Sequence, residues 1–270
     1  MKRLAFSYTY QYNDLNLYEK GHRTYNTTYQ QHTLETSYSD VWLKDFRYDI
    51  GLQFEYIHHE DLLYNIDIPT PPHLKPQHFF NYFIRMHYST LDKGYYPSKG
   101  FDFQAGYTIY TDNMAQYKGH SPFSGVHVSW HSVYSFGKRF AILPSIDSRI
   151  LIGRGISNFY GNVLGGDVSA RYLLHQLPFA GIHHIEPMKK SLLIGSLKLR
   201  QRLANKHYIS LAGNIGITDN RFQHILKGEY IYGFNLGYGF NSDFGPLETS
   251  IGYSDYTDDM KLYVNLGFFF

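Results

Sequence analysis

The feature of the sequence that most directly suggests chemistry is a histidine–serine pair, His127 and Ser129, with a second histidine and serine at 131–132. A histidine can take the proton of a neighbouring serine hydroxyl, so a pair of this kind could attack an ester. Apolar residues alternate with the pair along the same segment: Val126, Val128 and Trp130. Because successive residues of a strand point to opposite sides, we expect His127 and Ser129 to point inward and line a wet interior.

Two pairs of adjacent histidines raise the question of a metal site. The pairs are His58–His59 and His183–His184, among fifteen histidines, and Glu186 follows the second pair. Adjacent residues on a strand point in opposite directions, so neither pair can readily hold one metal ion from a strand. Both pairs lie in or beside predicted loops, where solvated side chains are expected. The sequence has no phosphate-binding loop of the Gly-x-x-x-x-Gly-Lys-Ser type, and we expect neither a metal nor another cofactor.

The composition excludes several classes of protein. The 270 residues include no cysteine, carry a formal net charge of +2, and contain 27 Tyr, 20 Phe and 2 Trp. Disordered chains have few aromatic residues, disulfide and zinc scaffolds need cysteine, and nucleic-acid binders usually carry a strong basic excess. The sequence also lacks the run of about 18 apolar residues that a membrane helix needs. A β-rich chain remains, either soluble or a membrane β-barrel, and we expect no nucleic-acid partner.

Apolar and polar residues alternate over long segments. In the segment 46–56, one side is apolar: Phe46, Tyr48, Ile50, Leu52, Phe54 and Tyr56. The other side is small or polar: Arg47, Asp49, Gly51, Gln53 and Glu55. Segments of roughly 10–15 residues suit tilted strands that cross a bilayer, and a mixed small and polar side suits a barrel interior. A soluble sandwich, whose strands average about 5–6 residues, fits this pattern less well.

The alternation predicts twelve strands, an even number as in most closed bacterial barrels. Their ranges are 3–13, 24–39, 45–58, 79–91, 100–112, 124–136, 139–153, 189–203, 206–218, 228–241, 245–256 and 260–270. Short junctions occur together with long ones at 59–78, 113–123 and 154–188, as in barrels whose long loops lie at the outer face. The sequence therefore predicts an all-β protein, with a single antiparallel transmembrane β-barrel domain over residues 1–270.

The N-terminus differs from a secretory signal. The basic start Met1-Lys2-Arg3 is followed by alternating residues rather than by an apolar stretch of about 7–15 residues. We interpret residues 4–11 as part of a strand. If the protein lies outside the inner membrane, we expect this chain to be the C-terminal piece of a longer protein whose export signal lies upstream.

The last predicted strand has one apolar side and ends on an aromatic residue. That side consists of Leu262, Val264, Leu266, Phe268 and Phe270. The pattern resembles the C-terminal β-signal that outer-membrane barrels present to their assembly machinery. The resemblance implies two partners for this chain, the outer-membrane lipid and that assembly machinery.

Two turns resemble those of the BamA-type outer-membrane assembly and translocation superfamily, also known as the bacterial surface antigen barrel. One is Phe244-Gly245-Pro246-Leu247, which leads into the penultimate strand. The other, Tyr95-Tyr96-Pro97-Ser98-Lys99-Gly100, resembles the superfamily's Tyr-Pro-Thr-Arg-Gly turn. In such a turn, proline fixes the backbone and glycine adopts a conformation that a side chain would block.

The segment 154–188 carries the most specific resemblance. Residues 160–172 resemble the superfamily's inward-folded loop, whose Gly-Gly-x-x-Ser-Val-Arg-Gly-Tyr pattern places an arginine inside the barrel. The matching residues are Gly165, Gly166, Ser169 and Arg171, whereas Tyr172 replaces the following glycine. In the superfamily the arginine pairs with acidic groups of inner strands, and Leu211 stands where one such acid would be. We expect Glu229 as the substitute partner of Arg171, because a buried unpaired guanidinium is costly.

The number of strands extends the resemblance. Five predicted strands follow the loop, as in the superfamily, but seven precede it where a sixteen-stranded barrel has eleven. The resemblance therefore implies four further strands upstream. Residues 176–181 resemble the continuation of this loop in patatin-like phospholipases with such a barrel at their C-terminus. A lipase domain, if present, would then also lie upstream.

The resemblance implies an outer-membrane barrel of a Gram-negative bacterium that anchors a protein and inserts or translocates a passenger polypeptide. It implies no catalytic residue in this segment. One alternative hypothesis is a self-contained twelve-stranded pore or surface protein. Another is an outer-membrane phospholipase that acts through His127 and Ser129. Such an enzyme presents its pair on the lipid side and follows the serine with Asn-Gly, and the sequence here shares neither feature.

Overall fold

The architecture is one long antiparallel sheet. The computed structural model describes residues 2–42, 45–64, 76–166, 173 and 175–266. The first seven strands are β1 (Arg3–Glu19), β2 (His22–Trp42), β3 (Phe46–Tyr64), β4 (Gln77–Ser89), β5 (Lys99–Thr111), β6 (Phe123–Phe136) and β7 (Phe140–Ile152). Each strand pairs with the next along the chain.

A long connection follows β7 and contains three short strands of its own. These are β8 (Val163–Leu164), β9 (Gln176–Leu177) and β10 (Glu186–Pro187), which form a separate small sheet. The large sheet then continues with β11 (Ser191–Ala204), β12 (His207–Asp219), β13 (Glu229–Ser242), β14 (Gly245–Ser254) and β15 (Asp259–Leu266). Because β11 pairs directly with β7, the connection leaves and re-enters between neighbouring strands. The predicted all-β class and its twelve long strands are confirmed.

Helical structure in the described residues is limited to two short 3-10 helices, Asn158–Tyr160 and Phe222–Lys227. No helix of these residues is long and apolar enough to cross a membrane.

The two sides of the sheet differ as the alternation predicts. On β3, Ile50 and Leu52 are 49% and 54% exposed, whereas Glu55 on the other side is only 3% exposed. The same outward exposure of large apolar side chains recurs on β1 and β13, where Phe6 and Phe234 are examples. A continuous apolar outer surface of this extent suits contact with lipid.

Three strand ends differ from the sequence prediction. β1 continues to Glu19 and β2 begins at His22. The two strands therefore meet in a tight turn at Lys20 and Gly21, both with positive φ. The alternation is obscured here by polar residues such as Asn26, whose side chain donates to the Asp14 carboxylate across the ladder. β3 continues to Tyr64 because it stays paired with β2. The expectation that His58–His59 lies at a loop is therefore wrong, since both residues belong to β3.

The ends of the sheet come close to each other without pairing. In the described residues, β1 and β15 form no common ladder and are the two edges of the sheet. Nevertheless, a Cβ placed on Gly21 in the β1–β2 turn would lie 3.3 Å from the backbone oxygen of Thr257, in the β14–β15 turn. The sheet thus curls round until its edges approach at this end.

The described parts of the connection, 156–166 and 175–188, pack against the inner side of the curled sheet. Phe179 is 1% exposed and belongs to an apolar cluster with Ile194 and Ile231. Its ring lies over glycines, since a Cβ on Gly216 or Gly233 would come within 3.1 or 2.8 Å of it. Small residues on the inner side therefore make room for the bulky connection.

We expect Phe179→Ala to lower the free energy of unfolding by about 3–5 kcal/mol, because it leaves a cavity between the connection and the sheet. The matched control is Phe222→Ala, at a phenylalanine that is 55% exposed, which should change stability by less than about 0.5 kcal/mol. Guanidinium unfolding in detergent micelles measures both. Equal effects of the two substitutions would contradict the packing described here.

Candidate functional site

The connection is fixed to the wall of the sheet by a buried arginine on β7. Arg149 is 4% exposed. Its Nη1 donates to the backbone oxygen of Tyr160 and to Oδ1 of Asn162, both at 2.8 Å. The Asn162 amide in turn donates to the backbone oxygens of Arg149 and Lys189, at 3.1 and 2.9 Å. The start and the end of the connection are thereby tied to the β7–β11 junction.

A buried carboxylate joins the connection to three further strands. Glu55 on β3 accepts hydrogen bonds from Gln31 on β2 (2.9 Å), from Asn81 on β4 (2.7 Å) and from the Tyr160 hydroxyl. Three donors satisfy this carboxylate, as a buried acid requires. Tyr160 therefore joins the connection to β3 through its hydroxyl and to Arg149 on β7 through its backbone oxygen.

Glycines shape the turn after β8. Gly165 has φ +151°, and a Cβ there would lie 1.8 Å from the backbone oxygen of His184. Gly166 has φ +69° and donates its N–H to the Ile182 oxygen at 2.7 Å. Both residues thus bring the outgoing and returning parts of the connection together. Ser169 and Arg171, the other two residues matched to the inward-loop motif, lie outside the described residues.

Residues 181–186, called the strap, contact the β1 edge of the sheet. The N–H of Tyr18 donates to the Ile185 oxygen at 2.9 Å, and Leu17 and Ile185 form a parallel bridge. The Tyr18 and His184 rings stack with centroids 4.1 Å apart. The strap therefore occupies the free edge of β1 near its end.

The strap also contacts the opposite edge. The Thr257 hydroxyl donates to the Gly181 oxygen at 3.2 Å, and the His183 and Tyr263 rings lie 5.4 Å apart. A Cβ on Gly181, which has φ +80°, would come within 2.1 Å of the Tyr253 backbone. The strap thus links the two unpaired edges. The sequence singled out Gly181 through the resemblance of residues 176–181, and His183, His184 and Glu186 as a metal site that it did not favour. It did not predict the contact with both edges, because such a contact leaves no periodic pattern.

Glu186 ends the strap at the β1–β2 turn. Its Oε1 accepts the N–H of Gly21 at 2.9 Å, while the residue as a whole is only 2% exposed. Burial raises the pKa of this carboxyl to about 7, and the hydrogen bond from Gly21 opposes that shift. Burial and the neighbouring His183 lower the pKa of His184 to about 4. The strap consequently carries a neutral imidazole and a carboxyl that titrates near neutral pH.

Two residues that the sequence analysis connected with Arg171 lie within the described part of the chain. They are Glu229, its proposed partner, and Leu211, which stands where the superfamily has an acid. Glu229, at the start of β13, forms an ion pair with Lys189 at 3.2 Å and is about half exposed. Leu211 lies on the outer side of β12 and is 53% exposed. A carboxylate at position 211 would therefore point away from the interior, because alternation puts Ala212 inside instead.

The geometry around the histidine–serine pair opposes ester hydrolysis. Ser129 is buried on the inner side and donates to the Asp147 carboxylate at 2.8 Å. Nε2 of His131 lies 3.2 Å from the Ser129 hydroxyl and also 3.1 Å from Asp147. A catalytic triad uses one imidazole nitrogen for the serine and the other for the acid. In the described part of the chain, no hydrogen bond joins His127 to Ser129.

A basic residue of β11, Arg200, is internal. It is 7% exposed, its guanidinium carbon lies 5.7 Å from the ring centroids of both Tyr96 and Tyr208, and it donates to the Pro97 oxygen. The turn with Tyr96 thus folds inward over Arg200. Among the described residues, no group of three or more His, Asp or Glu side chains could hold a metal.

The described part of the last strand has the expected outer side. Leu262, Val264 and Leu266 are 65%, 54% and 75% exposed. Phe268 and Phe270, the remaining residues of the predicted β-signal, lie outside the described residues.

Comparison with known proteins gives the family. The profile of the OMP85 superfamily matches residues 3–270, so this chain belongs to the OMP85 superfamily. The crystal structure of BamA from Haemophilus ducreyi lacking POTRA domains 1-3 is similar in fold, with a TM-score of 0.72 at 11% sequence identity. The match covers 97% of this chain and 58% of that chain. The protein is thus an outer-membrane β-barrel of this superfamily.

An outer membrane channel from Pseudomonas putida F1 aligns over 97% of this chain and 91% of that chain, with 9% identity and a TM-score of 0.35. No curated protein sequence matches this chain.

We expect the stability of the protein to fall as pH rises from about 5 to 8, in part through Glu186. A carboxyl whose pKa is raised on folding stabilises the folded state below its unfolded pKa, and this contribution is lost as pH rises through its folded pKa, about 7. Glu186→Gln should remove this part of the pH dependence, as measured by guanidinium unfolding at several pH values. Glu229→Gln, at an exposed carboxyl, is the control and should keep the wild-type profile. An unchanged profile in Glu186→Gln would refute the assignment.

Proposed function

We propose that this chain anchors a protein in the outer membrane of a Gram-negative bacterium and inserts or translocates a passenger polypeptide. For a barrel made of the twelve described strands alone, the proposed place of insertion is the seam between β1 and β15. The observation that carries the proposal is the strap, which contacts both unpaired edges. Membership of the OMP85 superfamily supports the membrane location.

The unpaired edges give a passenger somewhere to bind. Backbone N–H and C=O groups in a bilayer need internal partners, and an open strand edge leaves a row of them without any. An extended segment of another chain can supply those partners by adding a strand. Leu4, Phe6 and Tyr8 on β1 are more than half exposed, so the edge strand already faces lipid.

The strap is placed to regulate this edge. It uses the end of β1 near Leu17 and leaves the rest of that edge without a ladder in the described residues. A passenger strand that extended along β1 would compete with Ile185 for the N–H of Tyr18. The strap must therefore be released before a passenger strand can pair with this part of β1.

A disulfide between strap and edge tests this step. Leu17 and Ile185 are bridge partners, and the chain has no cysteine of its own. We expect Leu17→Cys with Ile185→Cys, when oxidised, to block insertion of an unfolded outer-membrane protein into the bilayer of proteoliposomes. Reduction should restore insertion, which protection from added protease measures.

The control pair places a disulfide within a continuous ladder. Ser196→Cys with Asn214→Cys joins partners on β11 and β12, far from the seam. Oxidation of this pair should leave insertion unchanged. Full activity of the oxidised seam pair would refute a role for strap release, whereas inhibition by both pairs would show only that disulfides rigidify the barrel.

Arg171 is proposed as the internal arginine of the inward loop, on the resemblance of residues 160–172. We expect Arg171→Ala to reduce correctly assembled protein in the outer membrane severalfold, as measured by heat-modifiable mobility on gels. Arg154→Ala, at an exposed arginine of the same connection, is the control. If both variants assemble like wild type, a self-contained pore or surface protein becomes the better interpretation.

A link to patatin-like phospholipases is proposed from residues 176–181 alone. If it holds, the reading frame upstream of residue 1 encodes a lipase domain and four more strands. In that case β1 pairs with an upstream strand, and β15 alone among the described strands borders the seam. The nucleotide sequence there decides between this arrangement and a twelve-stranded barrel that functions by itself.

A further inference from the structure

Arg149 carries a guanidinium that its contacts only half satisfy. Nη1 makes the two hydrogen bonds that hold Tyr160 and Asn162. Nη2 is buried and has no hydrogen-bond partner. In the described part of the chain, Arg149 also forms no ion pair. A buried guanidinium without a counter-charge is costly, so this position favours a bound anion.

Space for a ligand lies beside the guanidinium. Arg149 lines a cavity of about 230 Å³ on the inner side of the sheet, together with Thr108, Tyr110 and His175. All four residues also line a second cavity of about 520 Å³. Arg149 therefore lies between two internal spaces. Nη2 itself has almost no surface open to either of them, so a small solute reaches it only when a neighbouring side chain moves.

The acidic and basic neighbours of this position are already paired. Glu55 lines the first cavity and accepts hydrogen bonds from three donors. Asp147 lines the second and is bound by Ser129 and His131. Arg85 lines both cavities, but its charge is matched by a two-point ion pair with Glu35. Arg149 thus differs from the other charged residues of these cavities in having no counter-charge.

His175 presents a second unsatisfied polar atom. Its Nε2 is buried and has no hydrogen-bond partner. Its ring hydrogen bonds to the backbone of Gly161, and burial together with the charge of Arg149 holds the pKa of His175 well below its usual range. Because a carbonyl can only accept, the neutral ring donates there and leaves Nε2 as an acceptor.

We propose that Arg149 and His175 form a site for a small phosphate-type oxyanion. A phosphate oxygen accepts from Nη2 of Arg149, and a phosphate hydroxyl donates to Nε2 of His175. A carboxylate would satisfy the arginine but not the histidine, since it has no hydrogen to donate. The site is independent of the proposed seam function.

Calorimetric titration of the whole chain in detergent micelles at constant ionic strength tests the site. Three ligands are compared: inorganic phosphate, glycerol 3-phosphate and acetate. We expect saturable phosphate binding that weakens about tenfold or more in Arg149→Gln, since a charge-assisted hydrogen bond is lost. Arg85→Gln, at the paired arginine of the same cavities, should bind like wild type. Binding of glycerol 3-phosphate but not of inorganic phosphate would identify the phosphate of a lipid headgroup as the ligand.

His175→Phe covers the case in which Arg149→Gln fails to fold, because it leaves both loop contacts of Arg149 in place. This variant should bind phosphate about tenfold more weakly and acetate unchanged. The proposal is overturned if the wild type binds neither inorganic phosphate nor glycerol 3-phosphate, or if acetate binds as tightly as phosphate. It is also overturned if His175→Phe retains the wild-type affinity for phosphate.

Discussion

The constraint on which this structure depends is that strands in a bilayer must pair their backbone groups with one another. In the residues that the structure describes, eleven ladders meet that requirement for twelve strands and leave two edges, β1 and β15. The strap covers part of both edges with groups from inside the barrel. The strap thus couples the order of the internal connection to the edges of the sheet. Its release exposes backbone groups that only another strand can pair.

The interior follows from the same arrangement. Because the outer side takes the apolar residues, the inner side is small and polar and would be hollow without the connection. Phe179 fills space above Gly216 and Gly233, and Tyr160 reaches the carboxylate of Glu55. Arg149 fixes the connection from β7. Nη2 of Arg149 takes no part in holding the connection. The contacts that hold the connection therefore also leave a charged group on the inner side of the sheet.

The parts of the structure that the sequence predicted are those with a local period. Alternation gave all twelve strands, since each outward side chain must be apolar. It failed at the β1–β2 turn, where polar ladder residues such as Asn26 resemble a loop, and at His58–His59, because pairing with β2 prolongs β3. The burial of Arg200 beneath an inward-folded turn was not predicted, because composition does not indicate how a turn folds.

The sequence by itself determined the class of protein, its lipid-facing surface and the segment that departs from the sheet, because these depend on which residues alternate and which glycines and prolines interrupt them. Only the tertiary structure decided what that segment does. The contacts of Ile185 with Leu17 and of Gly181 with Tyr253 join residues distant in sequence through backbone atoms and shape. Such contacts place almost no demand on residue type, so they become visible only when the sheet has curled and its two edges have met.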